Sequence, residues 1–220
     1  MNQYKYILWD WNGTLLDDVW LSVDTINVLL NKYKLPAISA QDYKEQFNFP
    51  VKEYYEKIGF DFSQFDFPTV GQEYIDQYNT RRFECNLHAG SLQMIERFAQ
   101  EKIGQFVLSA REQKQLEHEL QHFQLKDHFA NIVGIQNNLA HGKIETAHKL
   151  VESLKINHKS ILMIGDTVHD CEVAKATGID IVLIAHGHHT YNRLSETGQK
   201  VINRFEEIFD LGLISSNFKL

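Results

Sequence analysis

The feature that most constrains this chain is a set of five short runs, apolar on both faces, at residues 6–9, 106–108, 132–135, 161–164 and 181–184. Runs this short are too brief for a buried helix, and they do not alternate with polar residues as a half-solvated strand would. They read as strands of a parallel sheet covered by helices on both sides. Helical periodicity fills the intervals, at residues 91–100, 113–123, 143–154 and 168–177. Strand and helix in alternation predict a doubly wound α/β fold, a Rossmann-like three-layer core with a parallel sheet. Ligands of such sheets bind beyond the carboxyl ends of the strands, so the residues just after each run carry the functional reading.

Residues 16–85 interrupt that alternation. Helical patterns cover 19–33, 41–47, 51–58 and 70–83, and the chain's three prolines, Pro36, Pro50 and Pro68, all lie here. Aromatic residues crowd the same stretch. The pattern predicts an α/β core built from 1–15 and 86–220, with an all-helical insertion at 16–85. Residues 86–90 return the chain to the core, and a final helix is expected at 205–213.

The strand ends share one kind of chemistry. The first run ends in Asp10, followed by Asn12-Gly13-Thr14; the second ends in Ser109-Ala110; Lys143 opens a helix; the fourth ends in Gly165-Asp166, with Asp170 four residues on. Each has an ordinary explanation when taken alone. Asp166 and Asp170 can cap the helix near Val168, Ser109 can be an N-cap, and Lys143 can be a solvated surface residue. Together they supply carboxylates, a hydroxyl and a cation where one ligand would meet them all. A carboxylate can serve as a nucleophile towards phosphorus. Asp10 and Asp166 offer the hard oxygens that Mg²⁺ prefers. Ser109, the Ala110 amide and Lys143 can hold phosphate oxygens, and Gly13 permits the tight turn that brings backbone amides near them.

These motifs resemble those of the haloacid dehalogenase-like hydrolase superfamily. The stretch DWNGT (10–14) is similar to its first motif, Asp-x-Asp-Gly-Thr, with one departure. FVLSA (106–110), Lys143 and GDTVHD (165–170) are similar to the second, third and fourth. The helical insertion resembles the cap of the phosphoglycolate phosphatase-like branch. The resemblance implies a Mg²⁺-dependent phosphatase acting on a small phosphorylated metabolite. In it Asp10 is the nucleophile, and Asp10, Asp166, Asp170 and the main-chain carbonyl of Asn12 surround the metal. Gly13, Thr14, Ser109, Ala110 and Lys143 hold the substrate, with Lys143 also counted among the catalytic residues.

Asn12 stands where the family pattern has the acid/base Asp, and an amide cannot protonate a leaving alkoxide. General acid–base help is typically worth ~10²–10⁴-fold, so aryl and acyl phosphates, whose leaving groups need no proton, suffer least. Four alternatives follow. His141 or His169 supplies the proton; the chemistry is phosphonatase- or dehalogenase-like, with Lys32, Lys34, Lys44, Lys52 and Lys57 as unranked candidates for a cap lysine; Asn12-Gly13 deamidates to Asp; or the protein is a phospho-ligand binder with weakened catalysis. The histidines of the loop AHGHHTYNR, His186, His188 and His189, read as part of a polar loop on the active-site side.

Composition bears on partners. A net charge of −7 argues against a long polyanion, so no nucleic acid is expected. No apolar run reaches membrane-spanning length. Two cysteines, Cys85 and Cys171, form neither a disulfide framework nor a zinc site. A cytoplasmic protein is expected, as a monomer or homodimer.

Overall fold

The computed structural model describes residues 4–136 and 142–212. The chain runs β1 (Tyr6–Trp9), β2 (Leu16–Asp17), α1 (Val19–Lys32), α2 (Ala40–Gln46), α3 (Val51–Lys57), α4 (Phe67–Arg81) and β3 (Asn86–Leu87). It continues through α5 (Ser91–Gln100), β4 (Gly104–Glu112), α6 (Gln113–His122), β5 (Asn131–Ile135), α7 (Lys143–Leu154), β6 (Ile161–Gly165) and α8 (Val168–Thr177). It ends with β7 (Asp180–Ile184), α9 (Tyr191–Ser195), β8 (Lys200–Ile202) and α10 (Glu207–Asp210).

Among the described residues the main sheet is parallel throughout, in the order β5-β4-β1-β6-β7-β8. The five apolar runs form its five inner and first-edge strands, confirming the α/β Rossmann-like fold. Side-chain alternation sorts each run between two cores. Ile7 and Trp9 of β1 join one, with Val107, Ile164, Phe98 and Leu120; Leu8 joins the other, with Leu108, Met163, Leu150 and Val173. β1 lies at the centre, so the residue after it opens onto the middle of the sheet's carboxyl edge. The sixth strand, β8, escaped the sequence because three residues at an edge carry too little pattern.

Two further differences have local causes. The second run does not stop at Leu108: β4 continues to Glu112, with a register break against β5 between Leu108 and Glu112. A bulge of this kind re-aims side chains, and Ser109 and Ala110 sit in it. Helix α4 starts at Phe67, ahead of Pro68, because proline is tolerated in a first turn and Asp66 caps it from Thr69 N–H at 3.1 Å. At the C-terminus α10 covers Glu207–Asp210; Leu213 lies outside the described residues.

Helices α1–α4 occupy the stretch between β2 and β3. Those two strands pair antiparallel, Leu16 with Leu87 and Asp17 with Asn86, so the chain leaves and returns side by side. The four helices build an aromatic-rich core of their own from Val23, Ile26, Leu30, Tyr54, Tyr55 and Phe60. Cys85 and Cys171 are both free. Among the described residues no helix is long and apolar enough to cross a membrane.

Candidate active site

Asp10 follows β1 directly, and its N–H donates to the Ile164 carbonyl of β6 at 2.9 Å. The loop beyond it closes tightly: the N–H groups of Leu15 and Leu16 both donate to the Trp11 carbonyl at 3.0 Å. Gly13 sits within this turn at φ +75°, where a Cβ would overlap the Asp166 carboxylate and the His188 ring. Only glycine combines that backbone with that approach. Thr14, fully buried, places its hydroxyl 3.1 Å from Asp10 Oδ2 and 3.0 Å from Asp166 Oδ1.

Lys143 opens α7 and is 4% exposed. Its ammonium donates to Asp10 Oδ1 and, at 2.7 Å, to Asp170 Oδ1. Asp170 also caps α8: its other oxygen accepts from the Thr167 N–H at 3.0 Å and the Thr167 hydroxyl at 2.7 Å. The capping role and the site role therefore fall on opposite oxygens of one carboxylate. Ser109 is buried, its hydroxyl accepting from the Arg111 N–H at 3.0 Å.

Ligand oxygens of Asp10, Asp166 and Asp170 all lie within 4.8 Å of one another. Burial, and then the neighbouring Asp170 and Asp166, push the Asp10 carboxyl up to about 8 against the opposing pull of Lys143. Burial likewise raises Asp166 to about 6. Burial would also raise Asp170, but Lys143 and the Thr167 hydroxyl outweigh it and hold that carboxyl below its ordinary value. Lys143 pairs with Asp10 and Asp170 only, and the raised Asp10 and Asp166 carboxyls mark a site short of positive charge. Hard oxygen donors with an excess of negative charge fit a divalent cation such as Mg²⁺.

Asn12 does not face this cluster with its amide. Its Nδ2 donates to Asp18 Oδ2 at 2.9 Å and contacts the Tyr78 hydroxyl at 3.1 Å. Asp18 holds the N-cap position of α1 yet makes no capping bond there. Instead it accepts from the Gly13 N–H at 2.8 Å and the Tyr78 hydroxyl at 2.8 Å, and it pairs with His188 Nε2 at 3.3 Å. Burial works against the His188 imidazolium, but Asp18 outweighs it and raises that group to about 9. His188 also contacts the Tyr43 hydroxyl of α2 at 3.0 Å, and its backbone N–H donates to Asp166 Oδ2 at 2.6 Å.

The loop after β7 is therefore no solvated polar loop. His188 and His189 are buried, and burial holds His186 down at about 4, where its Nε2 meets the Thr14 carbonyl at 3.0 Å. His169 pairs with Glu172 at 2.7 Å, lies against Phe49 with the rings tilted by 34°, and takes no part in the wall of the cavity over the carboxylates. His141 lies outside the described residues. Among the cap lysines, Lys44 Nζ donates to the His186 carbonyl at 3.2 Å.

A cavity of about 170 Å³ rises from Asp10 into the helices. Asp10, Asn12, Ser109, Ala110, Lys143 and Asp170 line its floor; Gly13, Thr14 and Asp166 stand behind that floor. Asp18 and Tyr78 are wall residues that the sequence did not single out, and His188 is one that it placed only in a polar loop. The rule of reading strand ends would have reached His188, which follows β7 by four residues, whereas Asp18 has the sequence position of an ordinary cap.

Comparison with known proteins agrees with the motifs. The profile of the haloacid dehalogenase-like hydrolase family matches residues 7–184. By sequence the chain is similar to tyrosine-protein kinase PtkA of Mycobacterium tuberculosis, 28% identical over 93 residues. That match covers 42% of this chain and 32% of PtkA, about a third of that curated relative's length. By structure it is similar to a haloacid dehalogenase-like family hydrolase from Streptococcus pneumoniae, with a TM-score of 0.83 at 17% identity, covering 96% of this chain and 100% of that one. A predicted phosphoglycolate phosphatase from Haemophilus somnus superposes with a TM-score of 0.77 at 17% identity, covering 96% and 99%. The family profile spans most of the chain and includes β1, β4 and β6 with Asp10, Ser109 and Asp166, and the chain belongs to the haloacid dehalogenase-like hydrolase family.

Proposed function

We propose that this protein is a Mg²⁺-dependent phosphatase that hydrolyses a small phosphorylated metabolite through an aspartyl-phosphate on Asp10. One observation carries the reading: Asp10, Asp166 and Asp170 bring carboxylate oxygens within 4.8 Å of one another, with Lys143 bridging Asp10 and Asp170, at the foot of a cavity large enough for a substrate. In the first step an Asp10 oxygen attacks phosphorus, and the bond from phosphorus to the alcohol oxygen breaks as the new one forms. The alcohol leaves with the bonding electron pair and takes its proton from solvent. Water then attacks the same phosphorus, releasing inorganic phosphate and restoring the Asp10 carboxylate. Lys143, the Ser109 hydroxyl and the Ala110 N–H orient the phosphoryl oxygens.

Asp10 and Asp166, with Asp170 and the Asn12 carbonyl, are the residues that would hold Mg²⁺. When bound, the ion offsets the repulsion between an anionic nucleophile and an anionic substrate. Helices α1–α4 act as a cap that excludes water from the phosphoryl group and selects the alcohol. The Asn12 amide, already donating to Asp18, has no proton to give the leaving group. That single feature favours a second reading, a phospho-ligand binder with little turnover.

Steady-state hydrolysis of phenyl phosphate with and without Mg²⁺, in the native protein and in Asp10→Asn, tests the choice. The phosphatase reading expects Mg²⁺-dependent release of phosphate that falls by at least about 10³-fold in the variant. Binding of phosphate without turnover selects the second reading.

A further inference from the structure

The cavity narrows the substrate class, and this inference rests on the phosphatase reading above. We infer that the site selects phosphate monoesters whose alcohol carries one uncharged ring, over esters of short charged acids. Three features of the cavity point that way.

The wall above the carboxylates is aromatic. Phe47, Phe49, Tyr54, Tyr55, Phe67 and Tyr74 surround the space into which the alcohol of a phosphate held at Asp10 would project. Such walls gain from burying apolar area and from edge-to-face ring contacts. The Tyr54 hydroxyl is buried and has no hydrogen-bond partner among the described residues, so it stands as one uncommitted polar group in an otherwise apolar surface.

The wall offers a second anion no free counter-charge. Arg111 is held by Glu119 at 2.8 Å and lies over the Tyr78 ring at 4.8 Å. His188 is held by Asp18, and Lys143 by Asp10 and Asp170. Among the described lining residues every cation is thus committed, and a carboxylate or second phosphate on the alcohol would be desolvated without a counter-charge.

Size and chemistry agree with a ring. The whole cavity, about 170 Å³ from floor to roof, has to take the phosphoryl group as well as the alcohol, which sets one small ring as the upper limit, since an engineered apolar cavity of about 150 Å³ holds one benzene molecule. A phenol, with a pKa of about 10, leaves phosphorus without protonation far more readily than an alkyl alcohol, which suits a site where Asn12 replaces the acid. The balance is that of simple hydrolysis: the ester and water give the ring alcohol and inorganic phosphate.

The test separates recognition from leaving-group chemistry. Benzyl phosphate and ethyl phosphate carry leaving alcohols of similar basicity and differ in the ring. The native protein with Mg²⁺ is expected to show kcat/KM at least about tenfold higher for benzyl than for ethyl phosphate, with 2-phosphoglycolate below both. Ile75→Asp, at a half-buried position of the cavity wall, should bring the benzyl-to-ethyl ratio towards one; circular dichroism melting checks that the variant is folded. Phosphoglycolate equal to or better than benzyl phosphate, or a ratio that Ile75→Asp leaves unchanged, overturns ring selection while the phosphatase reading stands. Calorimetric binding of benzylphosphonate against methylphosphonate covers the remaining case. Tighter binding of the ring compound without turnover of any ester overturns the phosphatase reading and keeps the selection, whereas equal binding without turnover overturns both.

Discussion

The floor and the roof of the cavity are built on opposite principles. At and around the floor each charged side chain has a partner: Lys143 bridges Asp10 and Asp170, Thr14 lies between Asp10 and Asp166, and Asp18, in the wall beside them, gathers Asn12, Gly13, Tyr78 and His188. The roof is a shell of rings in stacked and edge contacts, such as Tyr43 on Phe47 at 5.1 Å and Tyr54 on Tyr55 at 5.8 Å. A charged network tolerates little change because each lost partner strands a buried charge. A shell of rings can be repacked at modest cost. The chemistry is thus fixed in the part that cannot drift, and substrate choice resides in the part that can.

The largest expected effect alters the floor without touching the roof. Asn12→Asp places a second carboxyl beside Asp18, whose like charge raises its pKa, at a position that lines the cavity with Asp10, where the protonated carboxyl can turn to the leaving oxygen. That supplies the missing acid, so kcat for an alkyl ester such as ethyl phosphate should rise by ~10²–10⁴-fold, with a much smaller gain for phenyl phosphate. Equal gains on both esters would mean that protonation of the leaving group is not what the floor lacks.

Next in size is the loss of the shared cation. Lys143→Met takes the shared cation from the buried Asp10 and Asp170 and should cost about 3–5 kcal/mol of stability in metal-free protein, measured by urea denaturation. Added Mg²⁺ should recover part of it through binding to the folded state. A cost below about 1 kcal/mol would show that the floor is not the charged network described.

The smallest effects come from a matched pair that removes the same atom from floor and roof. Tyr78→Phe deletes a hydroxyl that donates to Asp18, and a hydrogen bond to a charged group is worth about 1.5–3 kcal/mol. Tyr54→Phe deletes a buried hydroxyl that has no partner among the described residues, and should change stability by less than about 0.5 kcal/mol or raise it. Thermal melts of the two variants compare the regions directly, and equal losses would erase the distinction.

Much of the floor was legible in the sequence because strand ends are places where one residue's position follows from its neighbours alone. Asp10 and Asp166 follow strands, Lys143 and Asp170 lie in the first turn of a helix, Ser109 follows the apolar run of β4, and the parallel sheet brings those points together. Asp18 was not legible in that way, and His188 was legible as a loop residue after β7 but not as the partner of Asp18. Their roles require the loop after β1 to meet the loop after β7, 170 residues apart in sequence, and nothing local distinguishes Asp18 from a helix cap. The roof was legible as a cluster of aromatics but not as a pocket. Which rings face the cavity depends on how α1–α4 pack, and the periodicity of each helix marks only that it has an apolar face.

The central claim is that Asp10 carries the phosphoryl group. Water's attack on that intermediate also lacks a base at position 12, so the aspartyl-phosphate should accumulate. Rapid acid quench of the native protein turning over phenyl phosphate with Mg²⁺, followed by peptide mass spectrometry, reads this directly. The account predicts a phosphoryl adduct on the peptide containing Asp10, absent in Asp10→Asn. Steady turnover with no adduct on that peptide, or with the adduct on another residue, would contradict it.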